Sequence, residues 1–219
     1  MFQTPFVLAD NTPCGGGTQT GDVCEIPVLE AHPTQFSVGM LEVTQKTTEI
    51  EGMGKKELKK FLSKHTIPTV IGPNHVYYMT DHHHLARALS EAGVDHMNLE
   101  ISSDWSNLDE NGFWQKMEAN QFVYLYDENG VGPHSPSELP ASVAELRDDI
   151  YRSLAWAIQK QTGAYADSNA PYASFLWANF FRARVSRATV ENDFARALKD
   201  GAILARSSEA KDLPGYLGN

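Results

Sequence analysis

Cysteine is scarce in this 219-residue chain: Cys14 and Cys24 are the only two. Two cysteines cannot build the disulfide framework that small secreted domains rest on. Long apolar runs are missing too. None approaches the roughly 20 residues needed to cross a bilayer, so no membrane partner is expected. Positive charge is in deficit, with 18 Lys and Arg against 28 Asp and Glu, a formal net charge of -10. Such a balance excludes a surface uniformly attractive to nucleic-acid backbones, though it leaves room for a local basic groove. The opening MFQTPFVLADNTPC lacks the basic region and apolar core of a signal peptide. Together these absences predict a cytoplasmic location.

What is present is ordinary for a globular chain, with 42% hydrophobic and 21% charged residues and enough length for one sizeable core. Cys14 and Cys24 flank GGGTQTGDV. A disulfide would close that loop, but two cysteines without a secretion signal are more often plain thiols. Gly15, Gly16 and Gly17 are followed by no Lys-Ser/Thr pair and preceded by no strand, so a phosphate-binding P-loop is excluded. Residues 1–25 read as a flexible N-terminal arm.

Between residues 26 and 135 strand and helix signals mix. Ile26 to Leu29 form a short apolar stretch halted at Pro33, and GMGKKELKKFLSKH reads as a helix. Its exposed face would carry Lys55, Lys56, Lys59, Lys60 and Lys64, taken as solvated, and its apolar stripe Leu58, Phe61 and Leu62. IPTVIG, HVYYMT and DHMNLEI are strand candidates, NGFWQKMEAN is a helix, and QFVYLYDENG reads as a strand with a turn. After the proline-containing PHSPSELP only helices are expected, in VAELRDDIYRSLAWAIQKQTG, YASFLWANFFRARVSRA and VENDFARALKD. The fold class predicted is α+β: a small mixed sheet with helices over 26–135, then an all-helical extension over 140–219.

The most unusual stretch is MTDHHHLARALSEAG, residues 79–93. At about 100° per residue, Leu85, Ala88, Leu89 and Ala92 form one apolar stripe. His82 falls near the edge of that stripe, His83 opposite it and one turn below Arg87, and His84 on a flank. Three adjacent imidazoles splay apart and cannot share one metal ion, unlike histidines spaced i, i+4. A metal site would need His75, His96 or Asp81 as well. What the three share is the first turn of a helix, where unpaired N–H groups and the dipole favour phosphate. Imidazoles there can also donate to phosphate or move protons near neutral pH. Thr80 or Asp81 would cap the helix, and Asp81 could instead hold magnesium.

The order of these elements resembles the ParB/sulfiredoxin superfamily. His32, Pro33, Thr34 and Gln35 are similar to its early Asn-Pro-x-Gln stretch. Asp81, His82, His83 and His84 stand where relatives carry Gly-Glu-Arg-Arg, Gly-Cys-His-Arg or Gly-His-His-Arg. DHHHLARAL, DWS, VYLYDE, YRSLAWA and FFR resemble the ParB-like nucleases within that superfamily. The resemblance implies a phosphate or nucleotide pocket at the histidine helix, with ATP or CTP as ligand or substrate. His82 replaces the reactive cysteine of sulfiredoxins, so sulfinic-acid reduction is not expected.

These readings define the expected site. His83 would act as general acid/base with His82 and Asp81 beside it. His84, Arg87, Thr34 and Gln35 would hold phosphate, and Asp81 with Asp104 would hold a magnesium ion. The reaction expected is that of a phosphodiesterase, nuclease or nucleotide hydrolase on a nucleotide or short nucleic acid. The competing class is a non-catalytic nucleotide-binding or protein-interaction module; a homo-oligomer fits either. Trp156, Phe175, Trp177, Phe180 and Phe181 read as helical core. Arg182, Arg184, Arg187 and Arg196 give the last third a basic face. No nucleophile elbow or Ser-His-acid order is present.

Overall fold

A computed structural model describes residues 12–218. Among them six strands run Val23–Pro27 (β1), Ser37–Val38 (β2), Ile67–Ile71 (β3), Tyr77–Met79 (β4), His96–Asp104 (β5) and Arg147–Asp148 (β6). The α-helices are Met40–Glu51 (α1), Lys55–Leu62 (α2), His83–Glu91 (α3), Glu110–Ala119 (α4), Ile150–Ala157 (α5), Ala173–Arg182 (α6), Arg187–Asn192 (α7) and Phe194–Arg206 (α8). The architecture is α+β. No helix among the described residues is long and apolar enough to cross a membrane.

The chain folds as two compact units. The first comprises the described residues up to Phe36, then Val43–Asp127 and Val131–Leu146; the second comprises Ser37–Glu42, Glu128–Gly130 and the chain from Arg147 onward. The second therefore takes in two short pieces from the α/β half as well as the helical end.

In the first unit the sheet order is β1-β5-β3-β4. The β-branched run of β3 is buried at Ile67, Thr69, Val70 and Ile71, as a central strand requires. It pairs parallel to β5, with Ile67 opposite Leu99 and Ile71 opposite Asp104, and antiparallel to β4, with Thr69 opposite Met79. Gly72 turns the chain out of β3, where a Cβ would lie 2.6 Å from the Tyr78 ring; only glycine lets that ring pack close. Phe36, Val70, Trp105, Phe113, Met117, Val123 and Leu125 form the core beside it. Gly93, at φ +68, closes α3 as a left-handed residue after a helix end.

Both outer edges of this sheet are covered in part by the chain itself. On the β1 side Cys14 N–H donates to the Glu25 carbonyl and Glu25 N–H to the Thr12 carbonyl. On the β4 side His32 N–H donates to the Tyr77 carbonyl, and Met79 N–H donates to that of His32. The segment QFVYLYDENG, expected as a strand, makes only a single bridge, Gln35 to Tyr124. It is extended and alternately buried at Val123 and Leu125, but no neighbouring strand runs beside it long enough to build a ladder.

Cys14 and Cys24 are joined as a disulfide, the one of the two alternatives that closes the glycine-rich loop. The bond pins the segment that covers the edge at Glu25. Replacing both cysteines with serine is expected to cost about 2–4 kcal/mol. Urea unfolding of variant and wild type checks this; equal midpoints would show that the link carries no stability.

The second unit is built on helices. Asp149 is the N-cap of α5, accepting from Tyr151 N–H at 2.9 Å. That cap explains why the helix starts only at Ile150, where a helix from Val143 was expected; Val143–Glu145 is a 3-10 turn instead. Leu154, Ile158, Trp177, Phe181 and Ala197 are buried together, with Trp177 stacked on Tyr165 at 3.8 Å. The helical-core reading of the aromatic residues holds here for Phe175, Trp177, Phe180 and Phe181.

Candidate functional site

Asp81 ends the stretch after β4, and the chain must reverse before α3 can begin. His82 makes that reversal in the left-handed region, at φ +61, which among residues with a side chain asparagine, aspartate and histidine enter most readily. Asp81 Oδ1 accepts from His82 N–H at 2.6 Å, which ties the bend. His82 Nδ1 lies 2.9 Å from the Thr66 carbonyl oxygen. A carbonyl only accepts, so Nδ1 carries the proton there. The residue is exposed, and in the neutral ring Nε2 is then the nitrogen with a lone pair.

His83 does the opposite of what its helical position predicted. Expected on the face away from the apolar stripe, it is buried. Its Nε2 accepts from Thr34 N–H at 3.1 Å. Ala86, three residues further on, is buried too, so α3 is covered on this second face as well as on its apolar stripe, and the Thr34 segment lies over His83. Thr34 is itself consumed inside the fold: its hydroxyl donates to the Met79 carbonyl at 2.7 Å, and its carbonyl accepts from Tyr124 N–H. Gln35 is buried beside it. Thr34 and His83 are thus brought together as a clamp between α3 and the 32–35 segment, rather than set out for phosphate. Replacing His83 with leucine is expected to cost about 1–3 kcal/mol, because the Thr34 N–H loses its acceptor inside the protein. Chemical unfolding against His83→Gln, which keeps an acceptor, is the check; equal losses in both would overturn the clamp.

Arg87 does not face the histidines either. Its Nη1 donates to the carbonyls of Val143, at 3.1 Å, and Ala144. Its Nη2 pairs with Glu91 at 2.5 Å. It holds the 143–145 turn against α3, which corrects its expected phosphate role. His84 is half-buried on the helix flank.

The expected magnesium pair is also corrected. Continuing the register of β3 with β4 sets Asp81 opposite Ile67, while Asp104 lies opposite Ile71. Four strand residues separate them by about 13 Å, with β3 itself between. Carboxylates sharing a magnesium ion must come within about 2.1 Å of it. Asp104 instead accepts from Ser106 N–H at 3.0 Å. The hydrogen bonds from Ser106, with a smaller pull from His75, hold its carboxyl below the usual carboxylate range. No group of three His, Cys, Asp or Glu among the described residues is placed to hold a metal ion. His32, half-buried 5.6 Å from the Tyr78 ring, has its pKa lowered by that burial.

Sequence reasoning missed Thr66, because a backbone carbonyl leaves no mark in the residue type. The expected site thus resolves into an outer part, Asp81 and His82 at the start of α3, and an inner part, Thr34, Gln35 and His83, that supports it. A family model described as "Putative ParB-like nuclease" matches residues 24–183. The chain belongs to the ParB-like nuclease family. That match begins within β1 and ends just after α6, so it takes in the histidine helix and the first helices of the second unit. Among solved structures, the crystal structure of protein Atu1540 from Agrobacterium tumefaciens is similar, at 35% identity over 90% of this chain and 98% of that chain, with a TM-score of 0.83. No curated protein matches.

Proposed function

We propose that this ParB-like chain is a phosphodiesterase of the nuclease type, with His82 moving the proton. The observation that carries the reading is the fixed, outward imidazole: Nδ1 is committed to the Thr66 carbonyl at 2.9 Å, on an exposed residue at the opening of a nine-residue helix. A ring held at one nitrogen is oriented at the other, which is what general acid/base catalysis asks of a histidine.

In this reading the phosphate of a nucleotide or nucleic acid lies at the start of α3, where the helix dipole favours negative charge. His84 is the nearest further donor along the helix. His82 Nε2 takes a proton from the attacking water, whose oxygen bonds to phosphorus. The P–O bond to the leaving group breaks, and the imidazolium returns its proton to that oxygen. Because Asp81 and Asp104 lie at opposite ends of β3, no step is routed through a magnesium ion held by them.

A thermal-shift screen of ATP, CTP, GTP, pyrophosphate and short oligonucleotides tests binding, with and without magnesium. Hydrolysis of bis(p-nitrophenyl) phosphate tests chemistry. A ligand at a hundred times its dissociation constant stabilises by about 2.7 kcal/mol, a readable shift. Binding without turnover would leave a nucleotide-binding module in place of the enzyme; neither would remove the phosphate site altogether.

A further inference from the structure

Glu100 lies on β5, the strand that runs between β1 and β3. A strand paired on both sides is among the last parts of a fold to open. The Glu100 side chain is exposed, and its Oε2 accepts from the Thr66 hydroxyl at 2.7 Å. That bond runs along a diagonal of the β3–β5 pairing. Glu100 stands opposite Pro68, and Thr66 comes two residues earlier on the same side.

Thr66 is also the residue that holds His82. Its carbonyl accepts from His82 Nδ1 at 2.9 Å, yet Thr66 itself precedes β3 and lies outside the strand. The backbone ladder is thin just there, because Pro68 has no N–H to donate. On the other side of β3, Thr80 N–H donates to the Pro68 carbonyl at 2.9 Å, which ties down the chain leading into Asp81 and His82. The His82 turn and its anchor thus both hang on the first residues of β3. The Glu100 carboxylate fastens the anchor to the sheet by a side chain.

The place of the Thr66 carbonyl sets where the imidazole carries its proton. With Nδ1–H bound to that carbonyl, Nε2 has the lone pair that a general base needs. A ring without this acceptor turns and takes up the other tautomer too, whose Nε2–H cannot accept a proton from water. We propose that Glu100 is a positioning residue for His82, acting through Thr66 to keep the Nδ1–H tautomer. This rests on the reading of His82 as the proton-moving group and adds the side chain that sets its tautomer. The competing account is a cross-strand hydrogen bond that serves the sheet alone.

Thr66→Val and Glu100→Ala remove the link, whereas Glu100→Gln keeps an oxygen for the hydroxyl. Long-range nitrogen–proton NMR spectra of histidine-labelled protein, at a pH where the ring is neutral, read the tautomer. The His82→Asn variant assigns the signal. Wild-type His82 should carry its proton on Nδ1, Thr66→Val and Glu100→Ala should mix the two tautomers, and Glu100→Gln should restore the wild-type pattern. For bis(p-nitrophenyl) phosphate, kcat should fall about tenfold or more in the first two with KM unchanged, since a misplaced reacting group can cost up to about 100-fold. Glu100→Gln should recover most of that rate, and melting temperatures should move little. A His82 tautomer unchanged in both Thr66→Val and Glu100→Ala overturns the inference, as does an unchanged kcat beside an active wild type. A tautomer that shifts in a protein with no wild-type turnover keeps the positioning role and overturns the proposed hydrolysis instead.

Discussion

His82→Asn is expected to lower the rate of phosphodiester hydrolysis by about 10²–10⁴-fold, the usual contribution of a positioned acid/base group. Asparagine is chosen for a conformational reason. His82 sits at φ +61, a region that histidine and asparagine enter more readily than alanine, so a loss in His82→Ala would have two causes. Asparagine enters that region readily and hydrogen-bonds well, but it cannot carry a proton through a reaction. The pyrophosphate thermal shift should therefore persist in His82→Asn while kcat falls. The pH–rate limb belonging to the imidazole should vanish with it. A variant that keeps both its rate and its pH profile would remove His82 from the chemistry. Another imidazole of the block offers a contrast: His83→Leu should lower stability and leave the pH profile in place, because His83 is buried against Thr34.

The largest stability effect is expected in the second unit. Arg182→Leu should destabilise by about 3–5 kcal/mol, the loss seen when one partner of a buried ion pair is removed. The Asp149 side chain is 3% exposed and pairs with Arg182 at 2.5 Å. Its other oxygen caps α5 at Tyr151 N–H. Without the guanidinium, the carboxylate keeps its helix cap but sits buried without its ion-pair partner. Arg182 also lies over the Tyr151 ring, 5.2 Å from its centroid, so some packing is lost as well. The double variant Asp149→Asn/Arg182→Leu separates the two losses. Because asparagine still caps, the double variant should be more stable than Arg182→Leu alone, and chemical unfolding reads the coupling. Additive losses would mean that the pair is not coupled.

The parts of the fold that were legible in the sequence are those where periodicity and punctuation agree. IPTVIG became a buried central strand because its apolar side chains are continuous. MTDHHHLARALSEAG ended at Gly93 because only a left-handed residue stops that helix cleanly. α1 escaped notice because Val43 and Ile50 are its only buried residues, too few to mark an apolar stripe. Within the site, the identity of the block was readable but its orientation was not. Helix geometry sets His83 opposite the Leu85–Leu89 stripe; that side is covered as well, at Ala86 and by the Thr34 segment over His83, and nothing in the residue types announces it. Arginine and threonine suit phosphate by residue type, which is why Arg87 and Thr34 read as ligand contacts. Their actual partners, the carbonyls of Val143, Ala144 and Met79, are backbone atoms far away in sequence that only the folded chain brings near.

The occupied ladder positions at Glu25, Tyr77 and Met79 restrict how this protein can assemble. Recognition by strand addition, in which a peptide or a second copy extends a sheet, needs unpaired N–H and C=O groups along an edge. Here the chain's own residues 12–14 and His32 already supply those partners. A second copy that approached the four-stranded sheet at these positions would have to meet it through side chains. The geometry of that contact would then be set by surface complementarity between copies rather than by a shared backbone ladder.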